Sequence, residues 1–338
     1  MMLNSRTPGW EELHATVLLP DIELLSKLNT EPIFEMLKRP VPTTHADTLA
    51  WLEAEQFITR DHAGGGHITN LGAVAAARSI KEFEGVSRKA IRVVVYKGLN
   101  KAKAKNEKEG LMGYAVGFQG LIGYVTRLLP TSEVIEAALR TTRPVYPEIA
   151  LREIIANALI HQDFSISGTG PLIEIYDDRI EISNPGGLLP SKQLDRLIGT
   201  QPESRNEKLA RAFRRYAICE ERGSGLIKAC SSAEFYGLPP IEFNVGENFF
   251  KVSIYAPKTF GQMSAPERLR ACFQHAVIKY VSSSVMTNKS LRERLKMPEK
   301  QRSMVSVLIQ EAIEQKLIKP ADPENKSRKF TEYLPYWA

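Results

Sequence analysis

Glu153 and Asn157 stand four residues apart in the stretch REIIANALIHQDF, so a helix would project both from one face. An amide oxygen is a hard ligand suited to Mg²⁺, an ion that keeps several waters and takes further ligands from phosphates. A carboxylate one turn away can orient or deprotonate a water attacking a terminal phosphate. The E-x-x-x-N pair alone is common by chance. Two glycine turns downstream add weight: Asn184, Gly186 and Gly187 in NPGG, and Gly223, Ser224 and Gly225 in GSG, with Arg222 directly before the second. A glycine turn that opens a helix binds anions through its backbone N–H groups and the helix N-terminus. Arg222 reads equally as a phosphate contact or as an ion-pair partner of Glu220 or Glu221. Arg205 and Asn206 are expected to cap and steady the helix that follows them, and His161 and Asp163 to hold a helix end.

The elements that must position these residues follow from periodicity. Leu151, Ile154, Ile155, Ala158 and Leu159 mark one apolar face of a helix, and its other stripe (Ala150, Glu153, Asn157, Ile160, Phe164) is also mostly apolar. A helix apolar nearly all round is buried, and a buried Glu and Asn need partners. Upstream, IRVVVYKG predicts a strand, NKAKAKNEKEG an exposed, mobile loop, and YAVGFQGLIGYVTRLL and TSEVIEAALR two helices. Downstream, alternating runs flanking Asp177 and Asp178 predict a hairpin. SRNEKLARAFRRY and GSGLIKAC predict helices, and IEFNV and FFKVSIY predict strands. No segment between the glycine turns reads as a lid over a bound ligand. Residues 1–88 are mainly helical with a glycine-rich turn, HAGGGH, a winged-helix-like unit or a docking subdomain. The last 81 residues give three helices and a Lys/Arg-rich hairpin, the order in which a third helix enters a DNA groove.

Charge separates that tail from the rest. Residues 258–338 hold 15 Lys/Arg against 8 Asp/Glu, whereas the preceding 257 hold 30 against 31. The basic excess thus belongs to one C-terminal module and points to nucleic acid. Lys289, Arg292, Arg294, Lys296, Lys300 and Arg302 cluster around its two short helices as candidate phosphate contacts. With 43% apolar residues and no run long enough for a membrane helix, the composition is that of a globular protein. Cys219, Cys230 and Cys272 are isolated and odd in number, which argues against a disulfide framework and for a reducing cytosol. The first residues lack a signal-peptide pattern.

The order of helix with E-x-x-x-N, hairpin, glycine turn, variable segment and second glycine turn resembles the GHKL (Bergerat-fold) ATP-binding domain. Type II topoisomerases, histidine kinases and MutL carry that domain. The resemblance implies an α/β (α+β) sandwich at residues 89–257, behind a helical N-terminal subdomain and ahead of a C-terminal winged helix at 258–338. It implies Asn157 as the Mg²⁺ ligand, Glu153 as the general base and the GSG turn against the phosphates of ATP. Asn184 takes the place of the adenine-reading Asp, and Leu188 stands where a further glycine is expected. ALREIIANALIHQDF, DDRIEISNPGGL, SRNEKLA, CEERGSGL and SRKFTEYLPYWA are moreover similar to bacterial RecG-like ATP-binding proteins and transcriptional regulators. These commonly begin with a Schlafen-like AlbA domain, which residues 1–88 do not resemble, so the chain is a fragment or a shortened form. No G-x-x-x-x-G-K-[ST] motor motif is present. The implied protein binds ATP–Mg²⁺ and double-stranded DNA in a regulatory role, off the membrane, with slow ATP hydrolysis and homodimerisation left open. A scaffold with a vestigial pocket and a component of antiphage defence remain as alternatives.

Overall fold

Alternating apolar residues at Ile180 and Ile182, and at Val252 and Ile254, form two strands that pair in register at the middle of a six-stranded sheet. The computed structural model describes residues 8–62, 64–136, 139–220, 223–324 and 331–338. Before the sheet come α1 (Asp21–Lys27), α2 (Glu31–Leu37), α3 (His45–Ala54), the hairpin of β1 (Ile58–Arg60) and β2 (Gly66–Ile68), and α4 (Asn70–Ala76). The sheet then takes β3 (Arg92–Tyr96) and β4 (Ala104–Glu109), and α5 (Tyr114–Leu128) follows. A separate hairpin, β5 (Thr131–Glu136) with β6 (Leu139–Pro144), leads into α6 (Glu148–His161). Next are β7 (Leu172–Ile175), β8 (Arg179–Pro185), α7 (Glu207–Arg215), α8 (Gly225–Tyr236), β9 (Glu242–Val245) and β10 (Phe249–Tyr255). The sheet order is β4-β3-β7-β8-β10-β9, with only β3 and β7 parallel. This is a mixed α/β fold.

Two expectations fail here. The charged loop after β3 is in part strand β4, an edge strand whose backbone pairs with β3 while its residues stay largely exposed. Without a buried face it has no apolar alternation to betray it. TSEVIEAALR is not a helix either, since Thr131–Glu136 pairs as a strand with Leu139–Pro144. Helix formers in so short a run yield to strand pairing.

α6 is buried nearly all round, as its sequence requires, but it stops at His161. Phe164 lies beyond it and stacks on Trp10, ring centroids 4.0 Å apart. Asn206 closes that end: its Nδ2 donates to the carbonyls of Ile160 (2.7 Å) and Gln162 (2.9 Å). Glu11 accepts from the backbone N–H of Leu209 at 2.7 Å and caps α7, and Glu55 holds Arg215 and the Tyr216 hydroxyl. The N-terminal segment therefore pins the helices around the site. The apolar core runs without a break from Leu24 through α6 to Ile254.

The C-terminal module comprises α9 (Ala265–Val281), β11 (Met286–Thr287), α10 (Asn288–Arg294), α11 (Arg302–Glu314), β12 (Ile318–Pro320) and β13 (Glu332–Pro335). Its small antiparallel sheet has the order β11-β13-β12. Cys272, Leu291, Val305 and Ile318 lie in a second core. α9 serves both cores, since its Val277 and Ile278 belong to the first and its Ala271, Cys272 and Ala276 to the second. Among the described residues no helix is long and apolar enough to cross a membrane.

Candidate functional site

The register that sets Ile182 opposite Val252 also sets Asn184 opposite Phe250, and these four residues floor a cleft. α6 supplies one wall with Glu153, Asn157 and His161, and the start of α8 supplies another with Gly223 and Gly225. The segment 188–205 closes the remaining side, although no lid was expected there. The space between protein atoms is about 1190 Å³, mouth included.

Glu153 is only 8% exposed, and its carboxylate lies so close to Gly225 that a β-carbon there would overlap it. A side chain at the head of α8 would make the Glu153 carboxylate swing aside. Burial pushes the Glu153 carboxyl above its ordinary range and nearby Glu220 pushes it further, while Lys228 and Arg152 pull partly back. Neither Glu153 nor half-buried Asn157 finds a hydrogen-bond partner for its side chain among the described residues. A buried carboxyl and an amide that have no side-chain partner among the described residues, beside the N-terminus of a helix, fit a phosphate–metal corner. No group of three His, Cys, Asp or Glu gathers as a metal site among the described residues, and a magnesium held by one amide and phosphates does not call for one.

The other expected residues divide. Asn184, 4% exposed, donates from Nδ2 to its neighbour's Pro185 carbonyl (3.0 Å), which leaves its carbonyl oxygen as the acceptor. Gly187 reaches the cleft, whereas Gly186, at φ +94°, turns beside Asp163 and does not line it. Ser224 precedes α8 and bonds Glu220 (2.9 Å) rather than facing the cleft. Arg222 lies outside the described residues. Arg205 is held by three acceptors, the His161 carbonyl (3.1 Å), Asp163 (3.1 Å) and the Gly187 carbonyl (2.9 Å), so it staples the first glycine turn to α6. His161 is pushed down to about 4 by burial and by Arg205 and Lys192. Cys219 also lines the cleft, but burial and Glu153 push its thiol up to about 12, out of the nucleophilic range.

Sequence reasoning missed Lys192 and the whole of the lid wall. Lys192 donates to the Gln201 carbonyl (2.5 Å) and stands 3.5 Å from Glu203. No motif marks it, whereas strand alternation could have picked out Ile182 and Val252 as the floor.

In the C-terminal module two expected phosphate contacts are corrected. Arg294 is 8% exposed; its Nη2 donates to the Leu238 carbonyl (2.9 Å) and its Nε lies 3.1 Å from Glu234. Arg292, 7% exposed, pairs with Glu299. The Arg294 guanidinium is thus taken up by α8 and the turn after it, and that of Arg292 by an exposed carboxylate of its own module. Lys296 is exposed but lies over Gly237, the residue that ends α8. Lys289, Lys300 and Arg302 remain exposed, and the Asn288 amide bonds the Arg302 carbonyl (3.3 Å) and Ser306 (3.0 Å), gathering them on one edge.

Comparison with known proteins agrees with this architecture. Residues 168–254 match a family model described as "Putative ATP-dependent DNA helicase recG C-terminal", so the chain contains an ATPase-like domain. A crystal structure of the DIP2311 protein from Corynebacterium diphtheriae shares the fold, with a TM-score of 0.56 at 15% identity. The match covers 97% of this chain and 64% of that one, so the chain spans less than two thirds of that protein's length. None of the curated proteins matches the chain.

Proposed function

We propose that the cleft binds ATP with Mg²⁺ and that residues 258–338 form a winged helix that binds duplex DNA, in a regulatory rather than a motor role. One observation carries the nucleotide half. Glu153, Asn157, Asn184, Gly187, Gly223 and Gly225, spread over more than 70 residues of sequence, meet around one cleft in the order that the GHKL resemblance implies. Bound Mg²⁺ would neutralise phosphate charge and polarise the terminal phosphoryl group. The Asn157 carbonyl oxygen would hold it. The first N–H groups of α8 have no intrahelical partners and face the phosphates, while Ile182, Val252 and Phe250 floor the base. The Asn184 oxygen accepts from an exocyclic amino group. Glu153, with its raised proton affinity, accepts the proton of an attacking water. Isothermal calorimetry tests the reading: the protein should bind ATP in the presence of magnesium, and Asn157→Ala should lose the magnesium dependence. Absence of heat with any nucleoside triphosphate up to millimolar would refute it.

The DNA half is supported by the basic excess of the module and by exposed Lys289, Lys300 and Arg302. A second reading, a protein partner, draws on Met304 and Val307 of α11, which are 47% and 68% exposed. Fluorescence anisotropy with duplex DNA at several salt concentrations separates the two, since only phosphate contacts give a steep salt dependence.

A further inference from the structure

The inner side of the 188–205 segment lines the cleft, with Leu197, Thr200, Gln201 and Pro202 among its contributions. Its outer side is fastened to the C-terminal module. Trp337 donates from Nε1 to the Asp195 carbonyl at 3.1 Å. The Arg196 guanidinium lies 5.7 Å from the Trp337 ring centre. Gly199 lacks a side chain where Val281 of α9 fills the space, and a β-carbon would meet the Val281 methyl. Trp337 is itself set edge-on to Tyr280 of α9, ring centroids 5.5 Å apart. It follows directly on β13, which pairs with β12, and β12 follows α11. A second connection runs through α8. That helix begins at the Gly223–Gly225 turn, and near its end Glu234 meets His275 (3.0 Å) and Arg294 (3.1 Å).

One face of the segment thus lines the cleft and the other is fastened to the C-terminal module. A ligand that draws Lys192 away from the Gln201 carbonyl must disturb the backbone that also carries Asp195, Arg196 and Gly199. Shifts of this kind pass on because a packed contact such as Gly199 against Val281 changes in steps and does not deform smoothly. We infer that the lid contact centred on Trp337 couples the two sites, so that a nucleoside triphosphate in the cleft and duplex DNA on the C-terminal module alter each other's affinity. Trp337 and Arg196 are positioning residues in this coupling and touch neither ligand. The inference rests on the nucleotide and DNA reading above and adds its regulation.

The test uses the full chain, a non-hydrolysable ATP analogue with magnesium, and a fluorescent DNA duplex. Wild-type Kd for DNA should change by at least about fivefold when the analogue saturates the cleft, the lower end of measured couplings. By reciprocity, saturating DNA should change the analogue's Kd by the same factor. In Trp337→Phe, which keeps a ring but removes the N–H donor, and in Arg196→Gln, the factor should fall below about twofold while calorimetry still shows the analogue binding. The ratio of affinities, not their absolute values, is the readout, because a merely destabilised chain would shift both values together. Circular dichroism checks that each variant is folded, and Trp337→Ala serves if Trp337→Phe retains the contact. Analogue heat with an unchanged DNA Kd in the wild type overturns the coupling and leaves the nucleotide reading standing. A full effect persisting in Trp337→Ala and Arg196→Gln overturns the route through the lid. No analogue heat, or no DNA binding, removes the underlying reading and the coupling with it.

Discussion

At the scale of residues, Glu153 is a carboxyl held where its charged form is disfavoured, close against the N-terminus of α8. If ATP is hydrolysed, Glu153→Gln should keep nucleotide binding and lose turnover by roughly 10²–10⁴-fold, the usual range for a general base. The wild-type rate should rise with pH through an acid limb above the ordinary carboxylate value of 4.5, a limb that steady-state phosphate release should not find in the variant. His161 gives a stability prediction of opposite origin. Unfolded, it takes a proton near 6.5; folded, it resists until about 4. The unfolded state therefore binds more protons between those values, and stability present at neutral pH is lost as pH falls from about 6.5 towards 4. Urea denaturation should show the wild type losing roughly 1–2 kcal/mol more than His161→Gln between pH 7 and pH 5. Glu153 and Asn157 were legible beforehand because helical spacing alone puts them on one face. Arg292 and Arg294 were not, because sequence shows a charge and hides its partner: Arg292 turns to Glu299, seven positions on, and the Glu234 that faces Arg294 sits on another helix, 60 positions away.

At the scale of elements, the fold around the cleft followed from periodicity wherever one face is buried. β7, β8 and β10 carry such a signal and lie where it puts them, α6 does so but stops at His161, short of Phe164, and α8 was marked by the glycine turn that opens it. β4 carries none because it is an exposed edge, and the lid wall carries none because it is a loop held by backbone bonds and by Arg205 and Lys192. The end of α6 is held by Arg205 at the His161 carbonyl and by Asn206 at two neighbouring ones. Asn206 closes two of its last carbonyls, so Asn206→Ala should cost about 1–3 kcal/mol in urea denaturation, the price of leaving buried polar groups unpaired. His161 and the Arg205 staple sit at that same end, so nucleotide affinity should weaken with it.

At the scale of the whole molecule, the charge asymmetry and the shared core pull on the design of any experiment in different ways. Three exposed cations on one edge, Lys289, Lys300 and Arg302, can be removed without touching a core. Replacing all three by Ala should flatten the plot of log DNA affinity against log salt by up to about 3, at about 0.9 per lost phosphate contact, and anisotropy titrations would read it. An unchanged slope would take these residues out of the interface. Deleting everything after residue 257 is a different matter. It would strip Val277 and Ile278 from the first core and leave the Ile241 carbonyl without the Gln274 amide, a bond of 2.6 Å. α9 thus belongs by sequence to the tail and by packing to both parts. Anyone building a chimera, with another C-terminal module on this cleft-bearing base, should keep α9 from this chain and make the splice at residues 282–284, just past its end. A splice at the sequence boundary near 257 would deliver a foreign helix to a surface shaped for Phe273, Val277, Ile278 and Val281.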